Sequence, residues 1–134
     1  MRILQFGSRW QAGTSPAHQR KSSGDNGRYI LLSVGRLSYQ KNYGTLIESF
    51  APLAAAFPNW DLTIVGDGED RETLMSLVAA RGLTGRVLFP GASKSIEQFY
   101  ARAHCFVLPS RWEGFPNALA EGMAHGLPCV GYAG

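Results

Sequence analysis

A chain of 134 residues, 45% hydrophobic and 11% aromatic, is long and apolar enough to fold around a core, which excludes a disordered chain. Its net charge of +3 is concentrated at the start: residues 1–28 hold five Lys or Arg against one Asp, whereas residues 29–134 hold eight against nine acidic residues. The body therefore lacks the clustered basic face of a nucleic-acid-binding protein, and no apolar run approaches the roughly 20 residues of a membrane span.

The first 28 residues differ in composition from the rest of the chain. Residues 8–28 are rich in Ser, Gly, Gln and basic side chains and show neither a helical nor a strand period. We therefore interpret residues 1–28 as a flexible leader.

From Tyr29 onward, predicted strands and helices alternate. Continuous apolar runs predict five strands, at residues 29–34, 61–65, 86–89, 105–108 and 128–132. Apolar spacings of three and four predict four helices between them, at residues 46–57, 74–81, 95–103 and 116–125. This alternation predicts an α/β fold: a Rossmann-like, doubly wound parallel sheet with helices on both faces. Ligands of such sheets bind at the carboxyl ends of the strands, so the chemistry is expected just after each strand.

Local signals mark several helix boundaries. Pro52 lies inside the first predicted helix, where we expect it to cost stability and to introduce a kink. Gly82 is expected to end the second helix at its C′ position. Residues Ser95–Gln98 have the pattern of a capping box at the start of the third helix.

Two cations follow the first strand, in Gly35-Arg36-Leu37-Ser38-Tyr39-Gln40-Lys41-Asn42. Arg36 could bind an anion as a planar fork and Lys41 as a point charge, with helix-end amides beside them. The alternative is two solvated loop cations, and their spacing does not separate the two interpretations.

A glycine pair follows the second strand. Gly66-Asp67-Gly68 resembles the start of a dinucleotide fingerprint, but Arg71 stands where the third glycine belongs. A tight turn is the better interpretation, and this disfavours an NAD-dependent oxidoreductase.

Two carboxylates follow the fourth strand. Glu113 precedes the helix predicted at 116–125, and Glu121 lies inside it, on the face opposite Leu119 and Met123 at about 100° per residue. Glu121 is either a solvated helix residue or part of a cleft, where it could accept hydrogen bonds from sugar hydroxyls. The two carboxylates could also hydrolyse a glycosidic bond directly if they faced each other about 5–10 Å apart.

The two cysteines, Cys105 and Cys129, lie inside apolar runs. We expect both to be buried, reduced thiols. Three scattered histidines add no ligands at metal-binding spacing, so no metal site is predicted.

Together, these segments resemble a known family. Glu113-Gly-Phe-Pro-Asn-Ala-Leu-Ala-Glu121, with the residues that follow it, resembles the carboxylate signature of the retaining glycosyltransferases of family 4, the glycosyl transferases group 1. Residues 34–42 resemble that family's phosphate-binding segment, and residues 64–68 and 87–91 match it in order and spacing. The resemblance covers about residues 29–132, and four motifs in sequence form a specific signal.

The resemblance implies one half of a GT-B fold. Residues 29–134 would form part of the carboxyl-terminal, nucleotide-sugar-binding, Rossmann-like domain. Catalytic roles are implied for Arg36 and Lys41, which would neutralise the departing diphosphate, and for Glu113, which would contact the transferred sugar. Phe89 and Pro90 would lie near the base. The implied donor-binding residues are Gly35, Gly114, Phe115, Pro116, Asn117 and Glu121, the last on the ribose hydroxyls.

The implied activity is hexosyl transfer from a UDP-sugar or GDP-sugar to an acceptor sugar or lipid-linked glycan, as in polysaccharide biosynthesis, with retention of anomeric configuration. Neither a metal nor another cofactor is implied. We expect a cytoplasmic protein with no membrane span and no nucleic-acid partner, whose full-length parent could associate peripherally with a membrane. The alternative is a non-catalytic module that binds a nucleotide or a sugar phosphate.

The amino-terminal acceptor domain and the helices beyond Tyr132 are missing from the resemblance. Because positioning supplies much of catalysis, we expect weak donor binding at best and no efficient turnover from this chain alone. We also expect it to associate through an exposed cleft face and an uncovered last strand.

Overall fold

The computed structural model describes residues 2–6, 10–14, 27–110 and 125–132. In these residues seven strands form one sheet: β1 (Arg2–Phe6), β2 (Trp10–Thr14), β3 (Tyr29–Val34), β4 (Trp60–Val65), β5 (Val87–Gly91), β6 (Cys105–Leu108) and β7 (Cys129–Tyr132). The helices described are α1 (Tyr43–Ala56), α2 (Arg71–Ala80) and α3 (Ile96–Arg102), with a 3-10 turn at Tyr39–Lys41. The helix predicted at 116–125 falls almost wholly in the undescribed segment 111–124. No helix in the described part of the chain is both long and apolar enough to cross a bilayer.

Five parallel strands form the centre of the sheet. They lie in the order β5-β4-β3-β6-β7, and each neighbouring pair is parallel. Counted along the chain, this is the Rossmann order 3-2-1-4-5, so the strand order reverses between β3 and β6. The predicted Rossmann-like parallel sheet is confirmed, and the carboxyl ends beside this reversal are where a ligand is expected.

Helices cover both faces of the sheet because its strands are apolar on both faces. On one face, α1 and α2 pack against β4; this core includes Leu46, Ile47, Phe50, Leu62, Ile64, Leu74 and Val78. On the other face, α3 packs against β3 and β6; this core includes Leu32, Tyr100, Ala103, Phe106 and Leu127. Successive residues of a strand point to opposite faces, which explains why the strands read as continuous apolar runs.

The leader prediction is wrong for residues 2–6 and 10–14. These residues form β1 and β2, which pair antiparallel with each other, and β2 pairs antiparallel with β7. The expectation of an uncovered last strand is therefore also wrong, since β2 bonds to the outer edge of β7. Strand pairing uses backbone groups, so an edge hairpin needs no strong side-chain pattern, and no alternation of apolar and polar residues marks this one.

The helix boundaries follow their predicted signals in part. Gly82 adopts a φ of 68°, and the amide of Leu83 donates to the Val78 carbonyl at 2.9 Å, which is a Schellman end to α2. Pro52 lies inside α1, as predicted. The helix predicted at 46–57 forms as α1, which begins three residues earlier, at Tyr43, and ends one residue earlier, at Ala56.

The predicted capping box at Ser95 does not form. Ser95 is the N-cap residue of α3, but its side chain makes no capping hydrogen bond. Its φ and ψ of −105° and 44° depart from the extended conformation typical of a side-chain cap. The amide of Gln98 donates to the Ser95 carbonyl instead, at 3.1 Å.

An ion-paired cluster fixes the amino-terminal edge of the sheet, opposite the strand exits. Asp61 accepts hydrogen bonds from Arg28 at 2.6 and 2.7 Å and from Arg86 at 3.0 Å. The Arg28 guanidinium lowers the pKa of the Asp61 carboxyl, against the opposing effect of burial. Arg86 also donates to the carbonyls of Ala54, Phe57 and Trp60, so it ties the end of α1 to β4.

Candidate functional site

The exits of the three strands β3, β4 and β5 adjoin at the carboxyl edge of the sheet. The Gly35 amide donates to the Val65 carbonyl at 2.9 Å, and the Gly66 amide donates to the Gly91 carbonyl at 3.1 Å. Gly66 has a φ of 148°, and a Cβ added there would overlap the Gly35 carbonyl oxygen. Only glycine allows this close approach, which brings the loops after β3 and β4 into direct backbone contact.

Leu37 holds these two loops together. Its amide donates to the Asp67 carbonyl and its carbonyl accepts from the Asp70 amide, each at 3.0 Å. The Leu37 side chain is fully buried in the core beneath α1 and α2. The buried Leu37 side chain therefore fixes the loop that carries the predicted cations, and its two backbone hydrogen bonds join this loop to the loop after β4.

Arg36 extends from this loop into solvent. Its Nη2 donates to Oε2 of Glu69 at 2.7 Å, and the two side chains remain 67% and 59% exposed. The pKa of Glu69 is lowered, first by a hydrogen bond from its own backbone and then by Arg36. Arg36 is thus an accessible cation held beside a carboxylate at the strand exits.

Lys41 is the last residue of the 3-10 turn, and its side chain lies beside the same strand exit, the end of β3. A Cβ added to Gly35 would lie 3.4 Å from both Cδ and Cε of Lys41, so the lysine stem crosses directly over Gly35. The structure therefore brings Gly35, Arg36 and Lys41 together at the end of β3, immediately before α1. An amino-terminal helix end adds backbone amides to the two cations, which suits an anion.

Asn42 and Tyr43 shape the turn that carries Lys41, and both roles were missed from the sequence. Asn42 is the one non-glycine residue with positive φ (60°) in the described residues; its Oδ1 accepts from Thr45 Oγ1 at 2.8 Å. Its buried Nδ2 has no hydrogen-bond partner within the described part of the chain. The Tyr43 hydroxyl accepts from Ser33 Oγ at 3.2 Å, and it lies 2.9 Å from the Cβ position of Gly35. Asn tolerates positive φ better than most residues, which is a signal that could have located this turn.

Phe89 and Pro90, the predicted base contacts, lie in the last part of β5. Phe89 packs partly against the core beneath α1 and α2, whereas Pro90 is exposed. Both line a hollow of about 400 Å³ between β4, β5 and α3. They therefore lie two strands away from Gly35 in the same sheet.

A larger hollow of about 750 Å³ lies between α1 and the sheet, with walls that are almost wholly apolar. None of the predicted site residues lines it. An apolar wall offers nothing to a phosphate, so this hollow is not the anion site.

The remaining predicted site residues lie outside the described residues: Glu113, Gly114, Phe115, Pro116, Asn117 and Glu121. Their roles stay predictions. Within the described ranges, no three His, Cys, Asp or Glu residues cluster as metal ligands would.

The two cysteines are free thiols, and Cys129 is buried. Burial raises the pKa of Cys105 to about 12 and that of Cys129 to about 11, so both are protonated at neutral pH. Burial is confirmed for Cys129, whereas Cys105 is half-buried rather than buried, and the reduced state of both thiols stays a prediction.

Comparison with known proteins identifies the family. The family described as "Glycosyl transferases group 1" matches residues 15–134. The chain belongs to the glycosyl transferases group 1. The match begins at residue 15, so it includes residues 15–28, which we had predicted to lie outside the family resemblance.

One curated relative and two solved structures illustrate the likeness to this family. The lipopolysaccharide core biosynthesis glycosyltransferase LpsE of Rhizobium meliloti is 36% identical over 101 residues, which are 75% of this chain and 28% of that protein. The structure of Alr3699/HepE of Anabaena in complex with UDP is 27% identical, with a TM-score of 0.68, over 76% of this chain and 29% of that one. The C-terminal domain of a glycosyl transferase group 1 family protein (LpcC) from Francisella tularensis is 25% identical, with a TM-score of 0.64, over 82% of this chain and 63% of that one.

The sheet thus matches the Rossmann-like domains of GT-B glycosyltransferases. The chain spans between 25% and 29% of the length of the first curated relatives that it matches.

Proposed function

We propose that this chain is the donor-binding part of a nucleotide-sugar-dependent glycosyltransferase. The observation that carries the proposal is that Arg36, exposed beside Glu69, and the Lys41 stem, which lies against Gly35, are both at the exit of β3, shortly before α1. Two cations and a helix amino end at the carboxyl edge of a Rossmann-ordered sheet suit a diphosphate.

Arg36 and Lys41 would act as electrostatic catalysts. Breaking the bond between sugar and diphosphate leaves negative charge on the nucleoside diphosphate, and the two cations would stabilise that charge as it develops. The pinned loop supports this role, because cations that are already oriented need little rearrangement during the reaction.

The remaining roles rest on the family resemblance. Glu113 would contact the transferred sugar, the segment from Gly114 to Asn117 would surround sugar and phosphate, and Glu121 would bind the ribose hydroxyls. Phe89 and Pro90 would lie near the base. We propose retention of anomeric configuration, as in family 4, with no metal ion or other cofactor.

The acceptor would bind through a further domain of a longer protein. The donor would be a UDP-sugar or a GDP-sugar, and the bound UDP in the HepE structure favours the first. The role of LpsE in lipopolysaccharide core biosynthesis supports hexosyl transfer to a sugar or lipid-linked glycan in polysaccharide assembly. We propose a cytoplasmic enzyme, with peripheral membrane association of the whole protein.

Titration of this chain with UDP, GDP and NAD by calorimetry tests the proposal. UDP or GDP should bind more tightly than NAD, and Arg36→Met should weaken that binding about tenfold, since charge-assisted hydrogen bonds to phosphate are lost. Arg81→Met is a matched control, because Arg81 also forms an exposed ion pair with a Glu, at 2.6 Å, but between α1 and α2. Tighter binding of NAD, or equal effects of the two substitutions, would refute the proposal.

A non-catalytic nucleotide-binding module is the alternative, since the described site contains cations but no group shown to act on a sugar. Joining the chain to the remaining parts of the enzyme and assaying sugar transfer separates the two. Transfer that Glu113→Ala abolishes supports the enzyme, whereas nucleotide binding without transfer supports the module.

A further inference from the structure

Arg71, the first residue of α2, makes an unusual contact with the end of β5. Its Nη2 donates to the Phe89 carbonyl at 3.1 Å, across 18 residues of sequence. Its Nη1 is buried and has no hydrogen-bond partner in the described part of the chain. A buried nitrogen without a hydrogen-bond partner costs free energy, so this half-buried guanidinium donates to Phe89 while its Nη1 carries that cost.

The Phe89 carbonyl lies where the pairing of β4 with β5 is irregular. Leu88 is opposite Thr63 and Gly91 is opposite Val65, so two residues of β5, Phe89 and Pro90, face the one residue between them in β4. This is a β-bulge, in which the regular ladder of hydrogen bonds is interrupted. Pro90 has no amide hydrogen to donate. Arg71 therefore adds a side-chain donor to the carbonyl of one of the two bulged residues.

The bulge is at the same edge of the sheet as the cations. Gly91 accepts a hydrogen bond from Gly66, and Gly66 contacts Gly35. The end of β5 is thus two strand spacings, roughly 10 Å, from the exit of β3, where Arg36 and Lys41 lie. A nucleoside diphosphate bound with its phosphates at the exit of β3 can reach the bulge with its base.

We propose that Arg71 is a positioning residue for the base end of the donor. It fixes the bulge at Phe89–Pro90, and the base would be recognised by that fixed backbone rather than by Arg71 itself. This inference rests on the proposed function. If it is right, the contribution of the base to donor affinity depends on Arg71, whereas the contribution of the phosphates does not.

Comparison of UDP with inorganic pyrophosphate separates these two parts of the ligand. Arg71→Met removes the donor and should weaken UDP binding about fivefold, on the scale of one lost hydrogen bond, while pyrophosphate binding changes by less than about twofold. Arg71→Gln keeps a neutral side-chain donor and should restore part of the affinity for UDP. Arg81→Met, at the C-cap residue that follows the same helix and pairs with Glu48, should change neither affinity.

Hydrogen exchange provides a second measurement that needs no ligand. If Arg71 fixes the bulge, the Phe89 and Gly91 amides should exchange faster in Arg71→Met than in the unsubstituted chain, while the Leu62 amide in β4 should not. Should Arg71→Met fail to fold, Arg71→Gln takes its place, with a smaller loss of UDP affinity, the same unchanged pyrophosphate affinity and a smaller acceleration of exchange at the same amides.

The outcomes distinguish the two proposals. If the unsubstituted chain binds neither UDP nor GDP, the proposed function fails and this inference fails with it. If the chain binds UDP but substitution of Arg71 changes UDP and pyrophosphate equally, or neither, then only the role of Arg71 is overturned.

Discussion

Arg36 donates to Glu69 across 2.7 Å, so the cation that we propose for the donor diphosphate is paired with a carboxylate of the neighbouring loop. The pair joins the loop after β3 to the loop after β4. Both side chains are largely exposed, and exposed pairs of this kind contribute little to stability. We therefore expect a diphosphate to replace the carboxylate at low cost, so that Glu69 would compete with the proposed donor for Arg36.

Substitution of Glu69 by Gln should strengthen UDP binding. Removal of the competing charge leaves Arg36 available to the diphosphate. We expect the affinity for UDP to rise about two- to fivefold, which corresponds to the free energy that an exposed ion pair contributes. Calorimetry at low salt measures it, with Glu48→Gln as the control, since Glu48 pairs with Arg81 away from the strand exits. A weaker affinity in Glu69→Gln would instead mean that Glu69 orients Arg36.

Substitution of Gly35 by Ala should weaken UDP binding without unfolding the chain. The new Cβ would lie 2.9 Å from the Tyr43 hydroxyl, which must shift, whereas the Lys41 stem at 3.4 Å is in ordinary contact. Because Tyr43 begins α1 directly after the turn that carries Lys41, a shift of Tyr43 should also displace that turn. We expect a loss of about threefold or more, as Lys41 leaves its place over the strand exit. Gly44→Ala is the control, because nothing lies within 4 Å of its Cβ position. Unchanged UDP affinity in Gly35→Ala would show that the position of Lys41 does not matter.

Substitution of Gly66 by Ala should destabilise the fold itself. Its Cβ would overlap the Gly35 carbonyl oxygen at a φ of 148°, and neither backbone can move away without breaking the contact between the loops. We expect a loss of about 2 kcal/mol or more in the free energy of unfolding. Gly27→Ala also has positive φ but meets nothing within 4 Å, so it isolates the conformational part of the cost. Equal losses for the two variants in urea unfolding would contradict the steric explanation.

Asp61 should make the stability of the chain depend on acid pH. Because its pKa is lowered in the folded state, its ion pairs stabilise the fold fully above its unfolded pKa of about 4. That contribution is lost as pH falls through the lowered folded pKa. Asp61→Asn should cost about 2 kcal/mol at pH 7 and progressively less below about pH 4, as measured by urea unfolding. A difference between the two chains that does not change with pH would argue against the ion pairs.

The sequence predicts the centre of the fold well because the information is local. The apolar side chains of the run Tyr29–Val34 pack into the cores on both faces of the sheet, and this continuous apolar composition predicts a parallel strand. Gly82 reveals the end of α2 in the same local way. The cations at Arg36 and Lys41 are found because they follow a recognisable strand, although the position of the Lys41 stem against Gly35 requires the folded turn.

Features that depend on distant partners were not predictable. Arg36 and Glu69 are 33 residues apart, and their contact requires that the loops after β3 and β4 adjoin. The contact of Arg71 with Phe89 depends on a β-bulge in β5, and no hydrophobic periodicity in the sequence indicates where that bulge lies. The hairpin of β1 and β2 finds its place through the backbone edge of β7, which is defined only once the sheet has formed.

The raised pKa values of Cys105 and Cys129 make these two residues natural reporters of unfolding. Alkylating reagents attack the thiolate, which is scarce in the folded chain when the pKa is about 12 or about 11. In the unfolded chain each thiol regains an ordinary pKa near 8.5 and reacts more readily at mildly alkaline pH. The two strands that carry them, β6 and β7, pair with each other beside the reversal of the strand order. Labelling kinetics can therefore follow the opening of this part of the sheet without any introduced probe.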